Sequence, residues 1–140
     1  MGQIVIVYYS ETGNTEAMAN MVAKGVEAAG ATAKVVSVDG FDAAELKEEA
    51  AFALGCPAMG DEVLEEGTME PFVEEVAKFA AGKKIGLFGS YGWGDGDWMR
   101  SWEEKCQNDG VALAIDSVIC NEDPDDEAQA ACIELGKAIC

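Results

Sequence analysis

Residues Ser10 to Thr15, S-E-T-G-N-T, follow an apolar run from Ile4 to Tyr9 and open a stretch with helical apolar spacing. Hydroxyls, a glycine and an amide at a strand-to-helix junction aim backbone N–H and side-chain O–H donors at one point. The unpaired amides of a helix start and its dipole both favour negative charge there, so a phosphate suits the turn. The six residues include no Lys or Arg. A hydrolysing loop of the G-x-x-x-x-G-K-[ST] kind needs its lysine on the transferring phosphates. Ser10, Glu11, Thr12, Gly13, Asn14 and Thr15 are therefore read as an anchor for a terminal phosphate, not as a device for cleaving one.

Two further segments carry unusual side chains. One is C-P-A-M-G-D-E, Cys56–Glu62, and the other is S-Y-G-W-G-D-G-D-W, Ser90–Trp98. Large apolar side chains are costly to leave in water at a loop tip, so Met59 and Trp93 should cover something. A flat aromatic ligand held between an indole face and a thioether, and tied down by a phosphate, accounts for all three segments. Glycines around Trp93 allow the backbone to approach a ligand edge.

These loops need elements to place them, and the chain alternates strand-like runs with helix-period segments. Strands are expected at Ile4–Tyr9, Val35–Val38, Ala50–Leu54, Ile85–Phe88 and Val111–Val118. Helices are expected from Met18 to Gly30, weakly over Ala43–Glu49, around Phe72–Phe79, on the Met99, Trp102 and Cys106 stripe, and over Asp125–Ile139. The Gly55–Gly67 and Gly89–Trp98 segments read as loops. The fold class is α/β: a three-layer sandwich with a five-stranded parallel sheet and helices on both faces. In such a sheet the loops after strands one, three, four and five share the carboxyl edge, where ligands bind.

Composition bounds the rest. At 140 residues the chain is expected to form one domain, residues 1–140, with a single substantial core. The net charge is −18 and there is no histidine, which disfavours nucleic acid and anionic membranes as partners and suits a basic protein, although taken alone it equally serves solubility. The five cysteines show no C-x-x-C spacing, which argues for free, mostly buried thiols rather than a disulfide framework or zinc site. No basic-apolar-small leader or membrane-length apolar run is visible, so a cytoplasmic monomer is expected.

With these motifs in hand, the chain strongly resembles a flavodoxin, closest to the short-chain clostridial type. The S-x-T-G-N-T turn, the C-P-A-M-G-D-E loop and the G-S-Y-G-W-G-D-G loop occur in the family's positions and order. The resemblance implies that Ser10, Thr12, Asn14 and Thr15, with the amides of residues 11–15, hold the phosphate of flavin mononucleotide (FMN). It implies the strand order 2-1-3-4-5 for the sheet, and that Met59, beside Ala58, packs on the inner flavin face and Trp93 on the outer. Glu62 matches the acceptor for the flavin N3–H, and the Gly60–Asp61 peptide the one that turns its carbonyl toward N5. Backbone around Ser90, Tyr91, Gly92 and Gly94, and Asn121 or Glu122, are implied at the ring or ribityl edge.

The resemblance further implies a one-electron carrier without a substrate of its own. Adding the second electron leaves an anion on the ring, among Asp61, Glu62, Asp95 and Glu122. One unit charge about 10 Å away at an effective dielectric near 20 disfavours that anion by about 1.7 kcal/mol, roughly 70 mV. Cycling between semiquinone and hydroquinone at low potential is therefore expected. Basic redox proteins should dock on an acidic rim of Asp61, Glu62, Glu65, Glu66, Asp95 and Asp97, although Glu65 and Glu66 read equally as a solvated charge run. The competing reading is a small FMN-dependent quinone or NAD(P)H oxidoreductase, which needs a second substrate site. Cys56 reads as a structural thiol, since no neighbouring cation in the sequence would activate it.

Overall fold

A computed structural model of the chain describes residues 3–10, 13–59, 65–92 and 96–140. The first strand, β1 (Gln3–Tyr8), leads into α1 (Asn14–Ala28) and β2 (Thr32–Ser37). A 3-10 turn over Ala43–Leu46 precedes β3 (Ala51–Gly55), α2 (Met69–Ala77), β4 (Lys84–Tyr91) and α3 (Asp97–Asn108). The chain then forms β5 (Ala112–Leu113), β6 (Val118–Asn121) and α4 (Asp126–Ala138). The strands pair in parallel in the order β2-β1-β3-β4, with β5 and β6 both on the far side of β4. This is the α/β order expected from the sequence.

Burial on both sheet faces explains why the central strands β1, β3 and β4 read as apolar runs rather than alternating ones. Val5, Val7, Phe52, Leu54, Ile85 and Leu87 join Phe72, Val76, Trp98 and Trp102 in one core layer. Ile6, Ala53 and Phe88 join Met18, Val22, Val26, Cys132 and Leu135 in the other. So α2 and α3 cover one face, and α1 and α4 the other. The two helices of the second layer cross at glycines: a Cβ on Gly25 would lie 1.9 Å from the Ile133 carbonyl oxygen, and one on Gly136 2.1 Å from that of Val22. Contacts that close let α1 and α4 seat together over the small side chains of β3.

Several elements depart from expectation: the weak helix over Ala43–Glu49 is only a 3-10 turn over Ala43–Leu46, and the second strand spans Thr32–Ser37 rather than Val35–Val38. The fifth sheet position is not one strand over Val111–Val118. Leu113 lies opposite Ile85 and Val118 opposite Phe88, so two extra residues are looped out between β5 and β6. The break falls on the polar Asp116–Ser117 step, and the Ser117 hydroxyl donates to Glu103 Oε2 on α3 at 2.7 Å. The fourth strand is longer than Ile85–Phe88, because β6 pairs with it as far as Tyr91↔Asn121. Ser90 and Tyr91 therefore stand on a strand end, not in a loop. No helix among the described residues is long and apolar enough to cross a membrane.

Candidate functional site

Parallel pairing brings the ends of β1, β3, β4 and β6 to one edge, and a cleft of about 350 Å³ opens there. Among the described residues its wall is made by Asn14, Pro57, Ala58, Met59, Ser90, Tyr91, Gly92, Glu122 and Asp123. Four segments distant in sequence thus converge, and none of these residues is a Lys or Arg. A larger cavity of about 540 Å³ lies between the 3-10 turn and α2, lined by Phe41, Phe72 and Phe79. It holds none of the residues that the motifs single out, so the smaller cleft is where the chemistry gathers.

At the head of α1, Gly13 takes the left-handed conformation (φ 94°), and a Cβ there would meet nothing within 4 Å. The Gly13 N–H donates to the Ser10 hydroxyl at 3.1 Å, closing the turn, and the helix begins at Asn14 without a side-chain cap. Thr15 is 1% exposed, and its hydroxyl finds no partner among the described residues. An uncapped helix start with an unpaired buried hydroxyl lacks an acceptor, and an anion supplies one. Glu16, the acid of this first turn, is engaged by the Tyr8 phenol, which donates to it at 2.7 Å. That hydrogen bond, together with burial and the nearby carboxylate charge, raises the Tyr8 pKa.

The second wall continues the β3–β4 pairing past the end of β3. Cys56 N–H donates to the Phe88 carbonyl at 3.1 Å and Ala58 N–H to that of Ser90 at 3.0 Å. The run to Met59 is therefore fixed by backbone. Behind it, the Trp98 indole N–H donates to the Cys56 carbonyl at 3.0 Å, and the Tyr91 ring leans on Trp98 with centroids 5.6 Å apart. Trp98 had read as the end of a loop; it is a buried residue of α3 that supports two cleft-lining segments. Its apolar register with Met99 and Trp102 was the available signal. Cys56 is fully buried, its thiol donating to the Pro57 carbonyl at 3.4 Å, which fits a structural thiol.

The third wall follows β6. Glu122 is held by its own N–H on the Tyr91 carbonyl at 2.8 Å, and its carbonyl accepts from the Ser90 hydroxyl at 2.6 Å. Asn121 stands apart: it is exposed and lines a neighbouring cavity along β6 rather than the cleft.

Glu65, one of the acids read as a docking rim or a solvated run, has another task. Its carboxylate accepts from the N–H groups of Gly67 (2.8 Å), Thr68 (2.7 Å) and Met69 (2.8 Å), and so caps α2, which has no cap from Thr68. Burial pushes this carboxyl up, but the three N–H donors outweigh it and hold the group below the ordinary carboxylate range.

The structure brings Asn14, Ala58, Met59, Ser90, Tyr91, Gly92 and Glu122 into one cleft. Ser10, Gly13 and Thr15 sit beside Asn14 at the helix start without lining the cleft. Glu11, Thr12, Gly60, Asp61, Glu62, Trp93, Gly94 and Asp95 lie outside the described residues.

Known proteins share both sequence and fold with this chain. The family model described as "Flavodoxin" matches residues 6–136. The chain is 49% identical to a flavodoxin of Clostridium beijerinckii over 134 residues, covering 96% of both chains. It is 46% identical to one of Megasphaera elsdenii over 135 residues, again covering 96% of each. The solution structure of two-electron reduced Megasphaera elsdenii flavodoxin superposes with a TM-score of 0.88, covering 99% of this chain and 98% of that one at 44% identity.

Proposed function

The chain belongs to the flavodoxin family, whose cofactor is FMN, and from that premise we propose that it is a low-potential one-electron carrier acting through one domain, residues 1–140. The observation that carries this reading is the buried Thr15 hydroxyl, unpartnered among the described residues, at a helix start without a side-chain cap, beside a cleft whose described walls combine Ala58, Met59 and Tyr91 with Glu122 and Asp123 and hold no cation. That donor set fits a phosphate ester attached to a flat, largely apolar ring. When bound, the flavin supplies reversible one-electron chemistry; the protein decides where it sits and what charge it tolerates.

In this proposal Ser10, Gly13, Asn14 and Thr15 hold the phosphate, together with Glu11 and Thr12. The positive end of α1 favours the phosphate dianion without a lysine. Ala58 and Met59 cover one ring face, Tyr91 and Gly92 approach its edge, and Glu122 flanks it. The same proposal gives Trp93, with Gly94, the other face, Glu62 the ring N3–H, and the Gly60–Asp61 peptide the N5 position. Asn121 is assigned only a peripheral contact.

Glu122 and Asp123 line the cleft and oppose added negative charge. A carboxylate lying about 10 Å from a bound ring would cost an added negative charge there about 1.7 kcal/mol before solvent and salt weaken it. The working couple is thus the lower one, between the half-reduced and fully reduced cofactor. A net charge of −18 suits hand-off to basic redox proteins.

Adding FMN to apoprotein should give a yellow protein with quenched flavin fluorescence. A potentiometric titration should then resolve two one-electron steps, the second well below the first. A single two-electron wave, or turnover of NADH and quinone without a partner protein, would overturn the proposal.

A further inference from the structure

Glu122 is the only non-glycine residue with a positive φ (59°) among the described residues. A left-handed conformation suits glycine or asparagine and is unfavourable for a side chain like glutamate. Something must hold it. Its carbonyl accepts from two side chains at once, the Ser90 hydroxyl at 2.6 Å and the Cys120 thiol at 3.4 Å. Its N–H is fixed to Tyr91, where the β4–β6 ladder ends at Tyr91↔Asn121. Both donors are buried, Ser90 at 4% and Cys120 at 8% exposure. The thiol also lies 3.5 Å from Met18 Sδ.

We propose that Ser90 and Cys120 are positioning residues: by converging on the Glu122 carbonyl they lock that residue in its left-handed conformation, and so set the cleft wall formed by Glu122 and Asp123. This inference rests on the cofactor reading only for its consequence, not for the clamp itself. The wall carries two carboxylates, so its position governs how closely negative charge approaches the ring. Ser90 therefore acts on the cofactor through Glu122. Burial raises the Cys120 pKa against the lowering effect of the Ser90 hydroxyl, with Asp125 and Asp123 adding to the rise, so the thiol stays protonated and keeps its donor.

The experiment is a double-mutant cycle between Ser90→Ala and Glu122→Asn, asparagine being tolerant of the left-handed region. In the parent, Ser90→Ala should weaken FMN binding about tenfold, as expected for one buried hydrogen bond, and shift the second one-electron potential. In the Glu122→Asn background the same change should weaken binding about threefold or less and leave that potential in place. Cys120→Ala should follow the same pattern at smaller size. The cycle is repeated on apoprotein by thermal unfolding, where Ser90→Ala should lower Tm less in the Glu122→Asn background. If Ser90→Ala alone does not fold, the double variant should.

Equal losses in both backgrounds, no loss in either, or failure of both variants to fold would overturn the clamp. A parent protein that binds no FMN would defeat the cofactor reading instead, while the apoprotein cycle still decides the clamp.

Discussion

The indole N–H of Trp98, on the first turn of α3, donates to the carbonyl of Cys56, the residue after β3, at 3.0 Å. This buried tie joins a helix on one core layer to the segment that carries Ala58 and Met59. The same carbonyl oxygen would lie 2.1 Å from a Cβ on Gly89, and Trp98 Cζ2 would lie 3.1 Å from it. Three residues therefore share one tightly filled volume behind the cleft. Trp98→Phe should lower unfolding stability by about 1–3 kcal/mol through the lost hydrogen bond. Gly89→Ala should cost about 3 kcal/mol or more, because the obstacle is backbone and cannot rotate away. Urea unfolding of the apoproteins checks the order; a Gly89→Ala variant more stable than Trp98→Phe would contradict the packing.

Thr15 makes opposite predictions for the two forms of the protein. Its hydroxyl is buried and unpartnered among the described residues, so removing it relieves a desolvation cost in apoprotein. Thr15→Val should leave apoprotein stability unchanged or raise it by about 1 kcal/mol, while weakening FMN binding by at least about tenfold. Thermal unfolding and a flavin fluorescence titration read the two effects separately. Equal destabilisation of both forms would mean that the hydroxyl serves the fold alone.

The Glu65 cap predicts a defined pH dependence. A carboxyl held below its ordinary range in the folded protein binds protons more readily when unfolded. Its stabilising contribution is therefore complete at neutral pH and is lost as pH falls through the lowered folded value. Glu65→Gln should cost about 1 kcal/mol at pH 7, the usual size of a lost helix cap, and the difference from the parent should close in strong acid. Denaturant unfolding of both proteins from neutral to acid pH isolates this group from the other carboxylates.

The thiols should differ sharply in reactivity. Burial pushes Cys132 up to about 12 and Cys106, with Asp109 adding to the effect, up to about 11. Cys140 is only partly buried. In the native protein at mildly alkaline pH, a disulfide-exchange reagent should therefore react with Cys140 first, and with Cys106 and Cys132 only on unfolding. Mass spectrometry of the modified protein locates the label, and early labelling of Cys132 would contradict its burial.

Electron transfer to a basic haem protein such as cytochrome c should slow as salt is raised from about 0.01 M to about 0.5 M, since screening shortens from about 30 Å to a few ångströms. Stopped-flow rates measured across that range test the docking proposal. A flat profile would show that the acidic surface does not steer the encounter.

Much of this was legible along the chain because its signals are local. The unbroken apolar runs of Ile4–Tyr9 and Ala50–Leu54 announce strands covered on both faces, and the hydroxyl- and glycine-bearing S-E-T-G-N-T run marks the junction between β1 and α1. Tertiary contacts decided what those signals could not carry. The split of the fifth strand depends on pairing with β4 and on the Ser117–Glu103 hydrogen bond across to α3. The extension of β4 through Ser90 and Tyr91 depends on β6 arriving beside it. Glu65, read as a surface charge, turns inward on N–H groups two to four residues ahead.

The sequence by itself determined the order of elements, the absence of Lys and Arg from the turn between β1 and α1, and the acidic character of the molecule, all consequences of residue type and short spacing. Only the folded chain decided that Ser90 meets the carbonyl of Glu122, and that Trp98 meets Cys56. Those pairings join segments brought together by sheet order, and hydrogen bonds of about 3 Å are a property of where backbones pass each other, which no local pattern encodes.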